Sequence, residues 1–143
     1  MPCGALDEVL AAAAWDGKLV IDCTNAVQRG PEGMELKHVH GSPASEELAR
    51  RIPGARVFKS FNAQGAENLV EPVYEGVRAS NFYCGDDAAS RATVRQLVAD
   101  AGFDPVDAGP LRSARLLEPM MLLWVAVAQA SGTREVAFRV LRR

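Results

Sequence analysis

Residues 19–25 read LVIDCTN and residues 57–62 read VFKSFN; each is a largely apolar run that stops on an asparagine. A continuous apolar run closed by turn residues is the pattern of a strand covered on both faces, as in a parallel sheet. Ligands of open α/β sheets sit outside the carboxyl ends of the strands, so two Asn-bearing strand ends predict one shared crevice.

The remaining chain supplies the helices that cover such strands. Ala5–Trp15 is rich in strong helix formers and is closed by Asp16-Gly17, after which Lys18–Cys23 forms the first strand. Gln28–His40 is rich in glycine and polar residues and reads as a surface loop, and Ser42-Pro43 opens a helix over Ser45–Ile52 that ends at Pro53-Gly54. The second strand, Arg56–Phe61, leads into a short helical segment at Gly65–Leu69, and Ser80–Cys84 is a third strand. Asp86-Asp87 offers an N-cap to a helix whose Val94, Leu97, Val98 and Ala101 share one face. Gly102 closes that helix, Pro105–Asp107 is a short fourth strand, and Gly109-Pro110 turns the chain into a long final helix. From Leu116 to Val127 apolar residues appear on every side, which predicts burial all round, and Pro119 is expected to kink or restart the helix. The alternation predicts an α/β fold over residues 1–143 as a single domain. It is expected to be Rossmann-like, with a mostly parallel sheet, flanking helices, right-handed crossovers and a long apolar C-terminal helix.

A chain of 143 residues can bury about two-thirds of its unfolded surface without a disulfide or metal staple. Its net charge of -2 argues against a polyanionic partner, so no nucleic-acid binding is expected, and the basic end (Arg134, Arg139, Arg142, Arg143) reads as a solvated tail. Cys3, Cys23 and Cys84 share no metal spacing, and the latter two read as small buried hydrophobes in strands, which predicts a reducing compartment. Acidic residues stand near the N-terminus where a signal peptide needs positive charge. The longest apolar stretch, Pro119–Ala130, is shorter than the roughly 18 residues a membrane span requires. A cytoplasmic protein with no membrane association is therefore expected.

At the first strand end, the Thr24 hydroxyl and Asn25 amide can hydrogen-bond a ribose or carboxamide. At the second, the small residues Ala63, Gly65 and Ala66 let a flat ring approach the backbone while Asn62 and Gln64 address its polar edge. Other constellations are weaker. His38 and His40 lie in a polar loop with no further ligand at metal spacing, so no metal site is expected. Asp86 and Asp87 read as capping residues, Ser60 and Ser113 lack a His partner for nucleophilic catalysis, and Met120-Met121 read as packing.

Four blocks in order, DCTNAV, GSPASEELARRIPGARVFKSFNAQGAENL, FYCGDD and GFDPVDAGPLRSARLLEPMMLLW, resemble the NADPH-dependent deazaflavin reductases, also called coenzyme F-420-dependent NADP oxidoreductases. The correspondence is to that family's "TNP", "FNT", "GDD" and "DAGPL…AR.LE" blocks, and it runs from about Pro2 to Arg143. The resemblance implies a Rossmann-type protein that passes a hydride between NADP(H) and the deazaflavin, with the two rings stacked in a cleft and no obligatory side-chain acid or base. It implies that Thr24, Asn25 and Ala26 lie beside the nicotinamide ribose, and Asn62, Ala63, Gln64 and Ala66 beside the rings. Ser113 and Arg115 would line the deazaflavin side, although Arg115 is also spaced to pair with Glu118.

The chain contains no G-x-G-x-x-G, and the match falls on the family's later two-thirds, so the domain is expected to be N-terminally truncated with a weakened hold on the pyrophosphate. Ala26 replaces the family's usual Pro, which loosens that tip. Loss of the earlier strands would bare one side of Lys18–Cys23, which predicts a homodimer through that edge or through the apolar C-terminal helix. The alternatives are a catalytically silent Rossmann-like remnant that dimerises and an NADPH-dependent ferric or metalloreductase domain.

Overall fold

The computed structural model describes residues 3–31, 33–37 and 43–143. In chain order these form α1 (Cys3–Ala11), β1 (Leu19–Asp22), β2 (Val27–Gly30), β3 (Gly33–Leu36), α2 (Ala44–Arg51), β4 (Arg56–Ser60), β5 (Val73–Tyr74), β6 (Val77–Arg78), β7 (Ser80–Gly85), α3 (Arg91–Asp100), β8 (Asp104–Asp107) and α4 (Ala114–Ser131). Short 3₁₀ turns at Ala66–Leu69, Ala88–Ser90 and Leu111–Ser113 join them.

The central sheet has the strand order β1-β4-β7-β8. β1 pairs with β4 in parallel and β7 with β8 in parallel, whereas β4 and β7 run antiparallel, with Phe58 opposite Gly85 and Ser60 opposite Tyr83. The sheet is therefore mostly parallel, as expected, with one reversal. Parallel neighbours need a crossover, usually a helix, and α2 and α3 supply it for the two parallel pairs. The segment between β4 and β7 holds only a 3₁₀ turn and the β5–β6 hairpin, so the chain returns antiparallel.

Period-two alternation sends successive β4 residues to opposite faces. Phe58 joins Tyr83, Val94, Val98 and Phe103 in a core under α3. Val57 faces the other way, into a core with Leu48, Ile52 and Leu111 that is packed by Leu6, Leu10 and Trp15 from the α1 segment. Cys84, Ala114 and Leu117 extend that second layer beneath α4. Burial pushes the Cys84 thiol up to about 12, so it stays a protonated packing group.

Several expectations are corrected by the structure. Val27–Gly30 and Gly33–Leu36 form an antiparallel hairpin rather than a loop, with Gln28 Nε2 donating to Glu35 Oε1 at 2.7 Å. His38, His40 and Ser42 lie outside the described residues. α4 is not buried all round: Ala114, Leu117, Met121, Trp124 and Ala128 are buried, but Leu116, Leu123 and Val127 are 71%, 53% and 41% exposed. Pro119 sits inside one continuous helix. Leu97 is 44% exposed, which leaves Val94 and Val98 as the buried pair of α3. Cys23 lies exposed just past β1, where only Cys84 was rightly placed in a buried strand. Among the described residues no helix is long and apolar enough to cross a membrane.

The basic end is not a free tail. Ser80 N donates to Phe138 O at 2.8 Å, Val140 N to Ser80 Oγ at 3.0 Å, and Trp124 Nε1 to Val136 O at 2.7 Å. Arg134 pairs with Glu67 and lies over the Trp124 ring at 4.9 Å, and Arg139 pairs with Asp104 at 2.8 Å. On the opposite side β1 is the sheet edge, flanked by an apolar groove of about 490 Å³ that includes Leu6, Leu10, Leu19 and Leu48.

Gly85 is a packing requirement, because a Cβ there would stand 2.3 Å from Phe58 Cδ1. Gly85→Ala is expected to cost about 1–3 kcal/mol by overpacking. Urea denaturation should show a lower midpoint at unchanged slope, and Phe58→Leu in the same chain should recover part of the loss.

Candidate functional site

The same alternation that buries Val57 places Lys59 on the α4 face, fully enclosed at 0% exposure. Its ammonium donates to Asp22 Oδ2 at 3.0 Å, to Glu118 Oε1 at 3.1 Å and to the carbonyl of Thr24. Three N–H donors thereby meet three acceptors, one from the end of β1, one from the loop after it and one from α4. Asp22 also accepts from Ser45 Oγ of α2 at 2.5 Å, from Thr24 N at 2.9 Å and from Thr24 Oγ1 at 2.7 Å. Burial alone would push the Asp22 carboxyl up, but Lys59 and these donors outweigh it and hold the group below its ordinary range.

The two strand ends meet directly above this cluster. Asn25 Nδ2 donates to the Asn62 carbonyl at 2.9 Å, and Asn62 Nδ2 donates to Asn25 Oδ1 at 3.0 Å and to Leu117 O of α4 at 2.8 Å. Between strand and tip, Phe61 adopts φ 58, a left-handed conformation unusual for an aromatic residue. Its backbone N–H donates to Asn81 Oδ1 at 3.2 Å and its ring stands edge-on to Phe103 at 6.1 Å. These contacts hold the turn that aims Asn62 at Asn25.

The other expected site residues are placed as follows. Thr24 and Ala26 are half-buried, and the Ala26 carbonyl accepts from Lys37 N at 2.7 Å, where the β2–β3 hairpin starts. Asn62 and Ala63 are buried, Ala66 is exposed at the start of its 3₁₀ turn, and Gln64 is half-buried with an enclosed Nε2 that has no hydrogen-bond partner among the described residues. Trp124 closes the floor beside Gly65, where an added Cβ would stand 2.8 Å from its ring. Ser113 is half-buried just before α4. The Arg115 guanidinium forks onto Glu46 of α2 at 2.8 and 2.9 Å, so its expected pairing with Glu118 is not formed; Glu118 faces inward to Lys59. The tips are thus brought together, while Arg115 is held on α2.

Starting at the residue after Ala26, the hairpin and α4 enclose an open groove of about 750 Å³ that includes Val27, Arg29, Met34, Leu122, Val125 and Gln129. That volume suits a small-molecule ligand, with apolar walls and a few polar groups. Chemically the arrangement can orient a flat ring with a polar edge. Among the described residues no cluster of three metal-ligating side chains occurs.

Lys59 and Glu118 were not singled out by their sequence context. The available signal was a lysine inside an apolar strand run and a glutamate inside an apolar helix run, since such residues are almost never fully buried unless paired.

No family model matches the chain. A crystal structure of a candidate F-420-dependent NADP reductase from Arthrobacter sp. FB24 superposes with a TM-score of 0.86 at 30% identity, covering 97% of this chain. The likeness runs over nearly the whole of this chain. A hypothetical protein from Sinorhizobium meliloti superposes with a TM-score of 0.70 at 27% identity over 96% of the chain. The metalloreductase STEAP3 of Rattus norvegicus is 33% identical over 109 residues, 75% of this chain. The chain spans 66% of the Arthrobacter protein, 61% of the Sinorhizobium protein and 21% of the metalloreductase.

Replacing Lys59 by Met leaves two buried carboxylates without a cation. The expected cost is about 3–5 kcal/mol near neutral pH. Without Lys59, burial is expected to push the Asp22 carboxyl up, so the penalty is small at low pH and grows as pH rises; denaturation at about pH 4 should show a smaller deficit than at about pH 7. In the unaltered chain the sign is opposite. Stability contributed by Asp22 is present above its ordinary 3.8 and is lost only as pH falls through the lowered value.

Proposed function

We propose that the chain is the ring-binding part of an NADP(H)-dependent oxidoreductase that transfers a hydride between NADP(H) and a deazaflavin of the coenzyme F-420 type. The observation that carries this is the junction of Asn25 with Asn62 over the Lys59 cluster, with Gln64 Nε2, two residues on, enclosed and without a hydrogen-bond partner among the described residues. An orphaned buried donor costs about 1–3 kcal/mol, and the carbonyl of a carboxamide would satisfy it. The Arthrobacter relative's description as an F-420-dependent NADP reductase supports the same chemistry.

NADP(H), when bound, supplies or accepts the hydride; the residues contribute position rather than acid or base. Asn62 spends both amide donors on protein partners, so it braces the tip and leaves Gln64 to address the ring. Thr24, Asn25 and Ala26 would border the ribose, Ala63 and Ala66 would give the ring room, and Ser113 and Arg115 would face the deazaflavin. In this proposal the protein is cytoplasmic and pairs with a second copy through the exposed side of α4 or the open edge of β1.

A second acceptor is favoured by the likeness to STEAP3, described as a metalloreductase: a ferric or other metal ion reduced at the expense of NADPH.

Titration with NADPH, followed by Trp fluorescence, should saturate; no binding at about millimolar NADPH overturns the proposal. Gln64→Leu is expected to weaken binding about tenfold without lowering the denaturation midpoint. NADPH oxidation measured separately with coenzyme F-420 and with a ferric chelate then decides the acceptor.

A further inference from the structure

Separate from the residues of the asparagine junction, the β8 edge carries another concavity, of about 590 Å³. Three arginines line it from three different elements: Arg78 from β6, Arg95 from α3 and Arg139 from the segment after α4. Arg139 is fixed, donating to the Arg78 carbonyl at 2.9 Å and pairing with Asp104 at 2.8 Å. Arg78 and Arg95 have no carboxylate within ion-pair distance among the described residues. Asp104 is the one acidic residue of the lining, so the concavity holds an excess of positive charge in a chain whose formal net charge is -2.

The convergence is built by the backbone. β6 is set by a two-residue turn in which Glu75 and Gly76 have φ 49 and 81, the mirror-image geometry of a tight hairpin. Bringing guanidinium groups together is unfavourable unless an anion lies among them. Their forked N–H donors match the oxygens of a phosphate, and guanidinium is the group best suited to that recognition. Val77 and Pro105 give the same concavity an apolar wall. The size of the hollow fits a small ligand rather than a polyanion.

We propose that this concavity is a binding site for a small phosphorylated molecule with an apolar portion, the phosphate held by Arg78, Arg95 and Arg139. It is independent of the ring site at Asn25 and Asn62 and of the hydride chemistry proposed there.

Phenyl phosphate titrated into the isotope-labelled chain, read by backbone amide resonances, tests the site. The amides of Arg78, Ala99, Asp104 and Arg139 should move together and saturate at about millimolar concentration, while those of Asn25 and Asn62 stay in place. The double variant Arg78→Gln, Arg95→Gln alters exposed side chains only and should keep the remaining spectrum while weakening binding about tenfold or more. Arg78→Lys with Arg95→Lys should retain part of the affinity. Equal shifts with sodium chloride at matched ionic strength, saturating shifts confined to another surface, or undiminished binding by the Gln variant would each overturn the proposal.

Discussion

A fully buried ammonium between two buried carboxylates is the interaction on which the candidate site depends. Lys59 connects β4 to the end of β1 through Asp22, to the following loop through the Thr24 carbonyl, and to α4 through Glu118. Each of these ions would be strongly destabilising alone in the core, so the three elements must be present together and in register for any of them to be tolerated. The asparagine junction above inherits that register: Asn62 reaches Asn25 on one side and the Leu117 carbonyl on the other, and Leu117 is the neighbour of Glu118. A charge cluster of this kind contributes specificity of arrangement more than net stability.

β1, β4 and β7 were legible as largely apolar runs ending in turn residues, the pattern of a strand covered on both faces, and β8 from the Gly102 and Gly109-Pro110 turns that bound it. Asn25 and Asn62 were legible as neighbours because parallel pairing of consecutive strands brings their carboxyl ends side by side. The β2–β3 and β5–β6 hairpins were not. Their strands are short and largely exposed, so no apolar alternation marks them. Lys59 was hidden for a related reason: a single charge in VFKSFN does not disturb the strand pattern, and only the three-dimensional position of Glu118 shows what neutralises it. The spacing of Arg115 and Glu118 suggested a local helical pair, but the two side chains leave α4 on different sides, one toward α2 and one toward the sheet.

Backbone strain stands next to the junction. Phe61 holds an aromatic side chain in a left-handed backbone conformation, and its ring is compensated by an edge contact with Phe103 at the start of β8. The tip geometry is therefore coupled to the α3–β8 connection across the width of the sheet. Gln64, three residues on, has an enclosed donor without a partner among the described residues, so a polar shortfall falls in the same short segment as the left-handed Phe61.

The antiparallel step between β4 and β7 has a consequence for how this scaffold can diversify. In an all-parallel sheet, the turns that enter strands lie at the back, away from ligands. Here the reversal carries the amino ends of β7 and β8 to the front, beside the carboxyl ends of β1 and β4. Lengthening the connection at Ala101–Phe103 or the hairpin preceding Ala79 would therefore remodel the mouth of the molecule, and the half of the chain without an asparagine tip can still set what gains entry.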